Sequence, residues 1–234
     1  MWRVVVVIAI ICGFSTACNA RNIDPLLKAA VKAGKMSAAT AFAADEALAV
    51  TEEVPEGLSV PGRARHSILD YPGLPLLQEP AQIEKSYGLP LAREPNCKVA
   101  GLEREGGCLT YEFSGQEGKT SRQLLILDGR VMAALEAAMP LDAPSRQFPI
   151  SECSRITQIV LASLLSSFGI PEMGLPLRHQ GMGDQQGNPA LISTEATWKF
   201  ADGSAVWFSQ IISINPQHCS VATVYFAPGL KLTL

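Results

Sequence analysis

Ser86-Tyr87-Gly88-Leu89-Pro90 decides how this chain is read, because Ser167-Phe168-Gly169-Ile170-Pro171 repeats its pattern in the second half. In each stretch a serine and an aromatic residue precede Gly-aliphatic-Pro. Glycine accepts the positive φ that closes a helix, and the proline beyond it cannot continue one. A helical stretch precedes each stop. The first covers residues 81–87; the second opens at Ser151 as N-cap and places Leu161, Leu164, Leu165 and Phe168 at helical spacing.

Strands follow both stops. Leu109-Thr110-Tyr111-Glu112-Phe113 alternates apolar with polar, residues 115–118 turn, and 122–127 form a second strand. Asp128-Gly129 is a tight hairpin signal, and 130–135 return as a third strand. In the second half the strands are 196–200, 205–212 and 219–226, joined at Asp202-Gly203 and Asn215-Pro216. Tyr111-Glu112-Phe113 matches Trp198-Lys199-Phe200 in pattern. The expectation is an α+β chain with an N-terminal helical segment and then two helix-plus-antiparallel-three-stranded-meander units, over residues 80–140 and 150–230. Each unit would bury its helix against its own sheet.

Upstream, residues 21–52 are rich in Ala, Leu and Lys, and Asp24-Pro25 supplies an N-cap with proline in the first turn. Gly34 and residues 37–40 interrupt the pattern, so this segment reads as two short helices or one with a weak centre. Residues 53–79 carry Pro55, Pro61, Pro72 and Pro75, which exclude a continuous helix and read as an extended linker.

A helix ending in Gly-x-Pro, an aromatic-x-aromatic strand and a strand closing in Asp128-Gly129-Arg130-Val131 together resemble the SmpA/OmlA outer-membrane lipoproteins. Their fold is similar to the tandem units of beta-lactamase inhibitory protein. The resemblance covers residues 80–135 and, less fully, 151–226. It implies a protein that acts by binding other proteins and not by catalysis.

Residues 1–20 read as an export signal: one early positive charge at Arg3, an apolar run from Val4, then small residues. The run is about ten residues long, half of what a helix needs to cross ~30 Å of hydrocarbon. Ser15-Thr16-Ala17 and Cys18-Asn19-Ala20 are both usable cleavage sites, and Cys18 is a lipidation site if cleavage follows Ala17. Ser15, however, stands where a bacterial lipoprotein signal carries an aliphatic residue.

Beyond the signal, Cys97, Cys108, Cys153 and Cys219 form an even set suited to an oxidising compartment. Four cysteines allow three connectivities. The repeat favours Cys97 with Cys108 and Cys153 with Cys219. No pair has the short C-x-x-C spacing that brings two thiolates to one zinc ion.

A formal net charge of -3 gives no basic excess to neutralise phosphates, which removes nucleic acid as an expected partner. His66, His179 and His218 each stand alone, without metal-ligand spacing, so neither metal nor cofactor is expected. Glu103, Glu105 and Glu112 cluster along the sequence, but Arg104 among them marks a solvated segment. Ser114 and Ser204 sit at strand ends as turn residues, outside any nucleophile elbow. Binding chemistry remains. Tyr111, Trp198, Trp207 and His179 are the surface candidates, together with the loops at 91–107 and 173–189. Trp207 and Phe208 point to opposite faces of one strand, so one is core and the other is free to meet a partner. The expected function is an exported module that binds another protein, as an inhibitor or immunity protein occluding an enzyme, with membrane contact only through a lipid anchor. An envelope assembly lipoprotein and a small secreted hydrolase with dispersed site residues are the alternatives.

Overall fold

Asp24 starts the first helix in the way its position predicts. Its carboxylate accepts the Leu26 amide at 2.7 Å, with Pro25 in the first turn of α1 (Pro25–Lys32). Gly34, at φ +68°, ends that helix. The Ser37 hydroxyl then accepts the Thr40 amide at 3.1 Å and starts α2 (Ala38–Ala49), so the segment is two short helices. The remaining helices are α3 (Pro80–Tyr87) and α4 (Ile150–Phe168). The last of these begins at Ile150 behind Pro149, whose fixed φ sets the entry, and not behind Ser151. The chain is seen in a computed structural model that describes residues 23–60, 67–115, 118–139, 147–184, 187 and 189–233. The export signal at 1–20, Cys18 and His66 lie outside the described residues.

The strands are β1 (Ala92–Cys97), β2 (Gly106–Gly115), β3 (Gly118–Leu127), β4 (Arg130–Met139), β5 (His179–Gly183), β6 (Pro189–Lys199), β7 (Ala205–Ile214) and β8 (Gln217–Phe226). They form one antiparallel sheet of eight strands in the order β1-β2-β3-β4-β8-β7-β6-β5. This corrects the expectation of two helix-plus-three-stranded-meander units. The halves are not separate, because β4 pairs with β8 from Ala133↔Phe226 to Ala137↔Ala222, and one sheet runs through both. Each half also has a fourth strand at the sheet edge. β1 and β5 lie within the stretches 91–107 and 173–189, which were expected to be loops. Neither shows alternation: β1 carries Pro95, and β5 is His179-Gln180-Gly181-Met182-Gly183. An edge strand ladders on one side only, so its neighbour's backbone can hold it without a strong side-chain pattern.

The paired helix stops nevertheless share one local geometry. Gly88 has φ 82° and ψ −164°; Gly169 has φ 77° and ψ −163°. Ahead of them, Tyr87 packs edge-on against Tyr111 and Phe113 at 5.6 and 5.4 Å. Phe168 meets Trp198 and Phe200 at 6.3 and 5.7 Å. The last helical side chain in each half thus lands on an aromatic-x-aromatic pair of one strand.

All four helices lie on the same side of the sheet. Cys153, Ile156 and Thr157 of α4, and again Leu161, Leu164, Leu165 and Phe168, fall three or four apart, and its apolar side chains bury with Phe208, Ile212, Val221 and Tyr225 within one core cluster. Each such side chain taken out of water contributes about 1.5–3 kcal/mol. In α2 the buried positions are Ala41, Ala44, Ala47 and Leu48, and these small residues let it lie close against α4. The described part of the proline-rich stretch 53–79 also enters this core. Ile68 is buried, Tyr71 packs on Phe168 at 5.1 Å and stacks on Tyr225 at 6.0 Å, and Leu77 and Gln78 exchange backbone hydrogen bonds with Val131.

Two disulfides lock the arrangement. Cys97 is joined to Cys108 across the β1–β2 edge, and Cys153 of α4 to Cys219 of β8, with Cα separations of 5.9 and 5.7 Å.

Candidate functional site

Strand parity and the helix layer together define the face on which a partner can land. On β7 the side chains of Val206, Phe208, Gln210 and Ile212 point into the helix layer and are buried. Ala205, Trp207, Ser209, Ile211 and Ser213 therefore point the other way. Register carries this face across the neighbours. Trp207 stands beside Thr197 and Val224, Ser209 beside Glu195 and Ala222, Ile211 beside Ser193 and Ser220, and Ser213 beside Leu191 and His218.

Among the described residues no helix packs on this side. Only one corner is covered, where a second apolar cluster gathers Cys97, Val99, Leu102, Cys108, Leu125 and Phe226. Residues 99–102 and the C-terminal tail close it through the Leu102↔Leu232 bridge and the Thr233 amide on Gly101 O at 3.0 Å. Trp207 packs against this corner as a partly buried wall. Beyond it, among the described residues, no helix crosses the face, and Ser209 and Ser213 lie buried low between their strand neighbours at 6% and 9% exposed. Ser209, Ala222 and Ser220 form a low floor, bordered by half-buried Leu191 and by Ile211 and Met182, which are 37% and 56% exposed. The Glu195 carboxylate is exposed on the same face. An apolar rim around small residues, with one charge at the side, suits burial against a complementary protein surface.

Of the expected surface residues, Trp207 alone stands on this face. Trp198 is 1% exposed and donates its indole N–H to the Gly169 carbonyl at 2.9 Å, under the helix stop. Tyr111 is 4% exposed, and burial pushes its phenol above the ordinary range. Both are core side chains, because their strand positions share the helix-facing parity. His179 lies on β5 facing α1, and its Nε2 sits 2.7 Å from Asp24 Oδ2. The other Asp24 oxygen caps α1, and the Asp24 amide donates to Asp45 Oδ1 at 2.8 Å. The histidine thus fastens a helix N-terminus to the sheet.

His179 also lines an open depression of about 920 Å³ together with Glu52, Met173, Leu175, Pro176, Leu177, Arg178 and Gln180. A hydrolase would need a nucleophile or a second acid beside the base. This lining holds no hydroxyl or thiol, and the Glu52 carboxylate is its one acid. The clustered glutamates do not converge either. Glu103 pairs with Lys231 at 3.4 Å, Arg104 turns to Asp128, and Glu112 is exposed on β2. No group of three metal-ligating side chains occurs among the described residues.

Sequence reasoning missed a polar knot on the helix side. Arg122 donates through Nε to Glu136 Oε1 at 2.7 Å, and through one terminal nitrogen to the Gly73 carbonyl and the Tyr87 hydroxyl, both at 3.0 Å. The guanidinium also lies 4.9 Å from the Phe113 ring centroid. Its members bond to one another, so the knot ties α3 and residues 71–77 to the sheet. The signal that could have found it is strand parity, which puts Arg122 on the same face as Leu124.

No protein-family model, no curated protein and no solved structure matches this chain. What the chain does therefore has to be argued from its own surfaces. The two disulfides are compatible with an exported protein, and no helix among the described residues is long and apolar enough to cross a membrane.

Proposed function

We propose that this is an exported protein-binding module whose uncovered sheet face docks onto another protein, in the manner of an inhibitor or immunity protein that occludes an enzyme. The observation that carries the reading is the one-sided helix layer, which leaves Ile211, Leu191 and Met182 exposed or half-exposed around a floor of Ser209, Ala222 and Ser220. Exposing such a patch costs a monomer solubility, and burying it in a complex recovers about 25 cal/mol for each Å² of apolar area. The resemblance of the helix stops and strands to the SmpA/OmlA lipoproteins, which act by binding other proteins, supports the same reading. The export signal expected at 1–20 gives such a partner an extracytoplasmic setting.

The test is recovery of a stoichiometric partner by gentle co-purification from the native host, in parallel for the natural protein and for Ile211→Asp. The expected result is one protein held by the natural chain and lost from the variant, with both folded by near-ultraviolet circular dichroism. Equal recovery with both would move the interface away from this face.

A further inference from the structure

The uncovered face and the closed corner are parts of one surface. β4 and β8 meet symmetrically, with Ala133↔Phe226 and Ala137↔Ala222 lying two positions either side of Leu135↔Val224. Outward from that centre the register of the two halves corresponds. The row Cys108, Leu125, Ala133 in the first half takes the places of Glu195, Ser209, Ala222 in the second. The second row lies on the docking face. The first lies under a roof made by Val99, Leu102 and residues 228–233. Trp207 joins the two, packing on the corner and standing beside Val224 at the centre.

The two parts of this roof are held differently. Residues 98–105 run between β1 and β2, and the Cys97–Cys108 disulfide closes them at their base. Residues 228–233 leave the sheet after the Ala227 amide donates to Met132 O at 2.8 Å. They turn at Gly229, φ +85°. Beyond it they are tied by the Leu102↔Leu232 bridge, where the Thr233 amide donates to Gly101 O at 3.0 Å, and by Lys231 on Glu103 at 3.4 Å. The side chains of that ion pair are 82% and 60% exposed, so it adds little. Leu230 and Leu232, each half-buried, supply the apolar contact. A segment with few buried contacts and ties that face water opens at a free energy well below that of the whole fold.

Given the docking face on β6, β7 and β8, on which this step rests, we infer that residues 228–233 are a displaceable strap. When the partner binds, the strap swings out about Gly229, and apolar side chains of the partner take the places of Leu230 and Leu232 on the cluster of Leu125, Leu127 and Phe226. The interface then runs across the β4–β8 seam. Trp207 stands near its middle instead of at its edge, where a tryptophan contributes most to an interface. The closed strap competes with the partner, so apparent affinity is lowered by the fraction of molecules in which it is open. Until a partner arrives, the strap also keeps this apolar corner from water.

Three chains test this: the natural protein, Leu230→Ser with Leu232→Ser to loosen the strap, and Leu102→Cys with Leu232→Cys to lock it. Residues 102 and 232 stand opposite one another in the bridge, at a spacing that a disulfide spans. Non-reducing peptide mapping checks the new bond beside the two native ones, and near-ultraviolet circular dichroism checks folding. Without any partner, amides at 230–233 of the natural protein should exchange faster than those of β8. Acrylamide should quench Trp207 more in the loosened chain, against a Trp198 that is 1% exposed and stays dark to it. Against the partner recovered from the host, the loosened chain should bind about tenfold tighter than the natural one and the locked chain about tenfold weaker. Strap amides that exchange only with global unfolding, or a partner held equally by the locked and loosened chains, would overturn the strap and leave the docking face standing. A partner found for none of the three chains would overturn the docking reading and the strap with it.

Discussion

The Tyr225 hydroxyl on β8 donates to Glu136 Oε2 on β4 at 3.3 Å, across the seam where the two halves of the sheet meet. The other Glu136 oxygen holds Arg122. One carboxylate thus connects the first half, the second half and, through Arg122, the Gly73 carbonyl and Tyr87. Arg122 and Glu136 are 16% and 22% exposed, so the pair is shielded but not dry. Glu136→Ala should destabilise the fold by about 2–3 kcal/mol, chiefly by leaving a shielded guanidinium without its counter-charge. Tyr225→Phe should cost about 1 kcal/mol, one hydrogen bond with packing kept. Urea unfolding read by fluorescence measures both.

The same tyrosine gives the fold an alkaline limit. Burial, then the Glu136 charge, hold the Tyr225 phenol well above its ordinary value of 10.0. The neutral form is therefore favoured by the folded state, whereas the unfolded chain ionises near 10. Stability from this group is complete below about pH 10 and is lost as pH rises from there toward the folded-state value. The urea midpoint should fall above that pH, and Tyr225→Phe should flatten the fall.

The helices and the inner strands were legible one by one in the sequence, but the single sheet they build was not, and the difference has a physical reason. The strands read from alternation or turn signals are long inner strands laddered on both sides. Asp128 and Gly129 have φ 51° and 79°, the primed-turn geometry that a two-residue hairpin needs. The β1 and β5 edges have no such pattern, and the β4–β8 seam joins residues far apart in sequence through backbone pairing that no local motif encodes. Alternation shows which residues share a face but not which face the helices cover. Trp198 and Tyr111 therefore passed for surface candidates although both lie under helices.

Gly88 and Gly169 should respond alike to substitution. Both combine φ near +80° with ψ near −164°, a region essentially closed to side chains. Gly169→Ala and Gly88→Ala should each cost about 1–3 kcal/mol through backbone strain. At Gly88 a Cβ would meet nothing within 4 Å, which isolates strain from crowding there. Thermal unfolding of the two variants checks the match.

The disulfides differ in the length of chain they close. Cys153–Cys219 spans 66 residues and Cys97–Cys108 spans 11. By loop entropy the longer contributes about 4 kcal/mol and the shorter about 3. Replacing each pair by alanine should lower stability in that order. Loss of the longer bond also removes the covalent tie between α4 and β8, so amide exchange in α4 should quicken more than in β2 when Cys153 and Cys219 are replaced.

Ile211→Asp separates binding from stability. Ile211 is 37% exposed on the uncovered face, while its neighbours Gln210 and Ile212 on β7 point into the helix layer and are fully buried. An aspartate at 211 remains in contact with water, so unfolding should shift by no more than about 1 kcal/mol. In a complex the same carboxylate would be desolvated over Ser193 and Ser220, its register neighbours, beside the Glu195 charge on the next strand. Truncating or charging a central apolar contact commonly costs an interface about 2 kcal/mol or more, a loss of roughly thirtyfold in affinity. Titration calorimetry of the natural protein and the variant against the recovered partner, beside their urea midpoints, should therefore show affinity falling while the midpoint holds. If the midpoint falls with the affinity, Ile211 belongs to the fold and the docking face must be sought elsewhere.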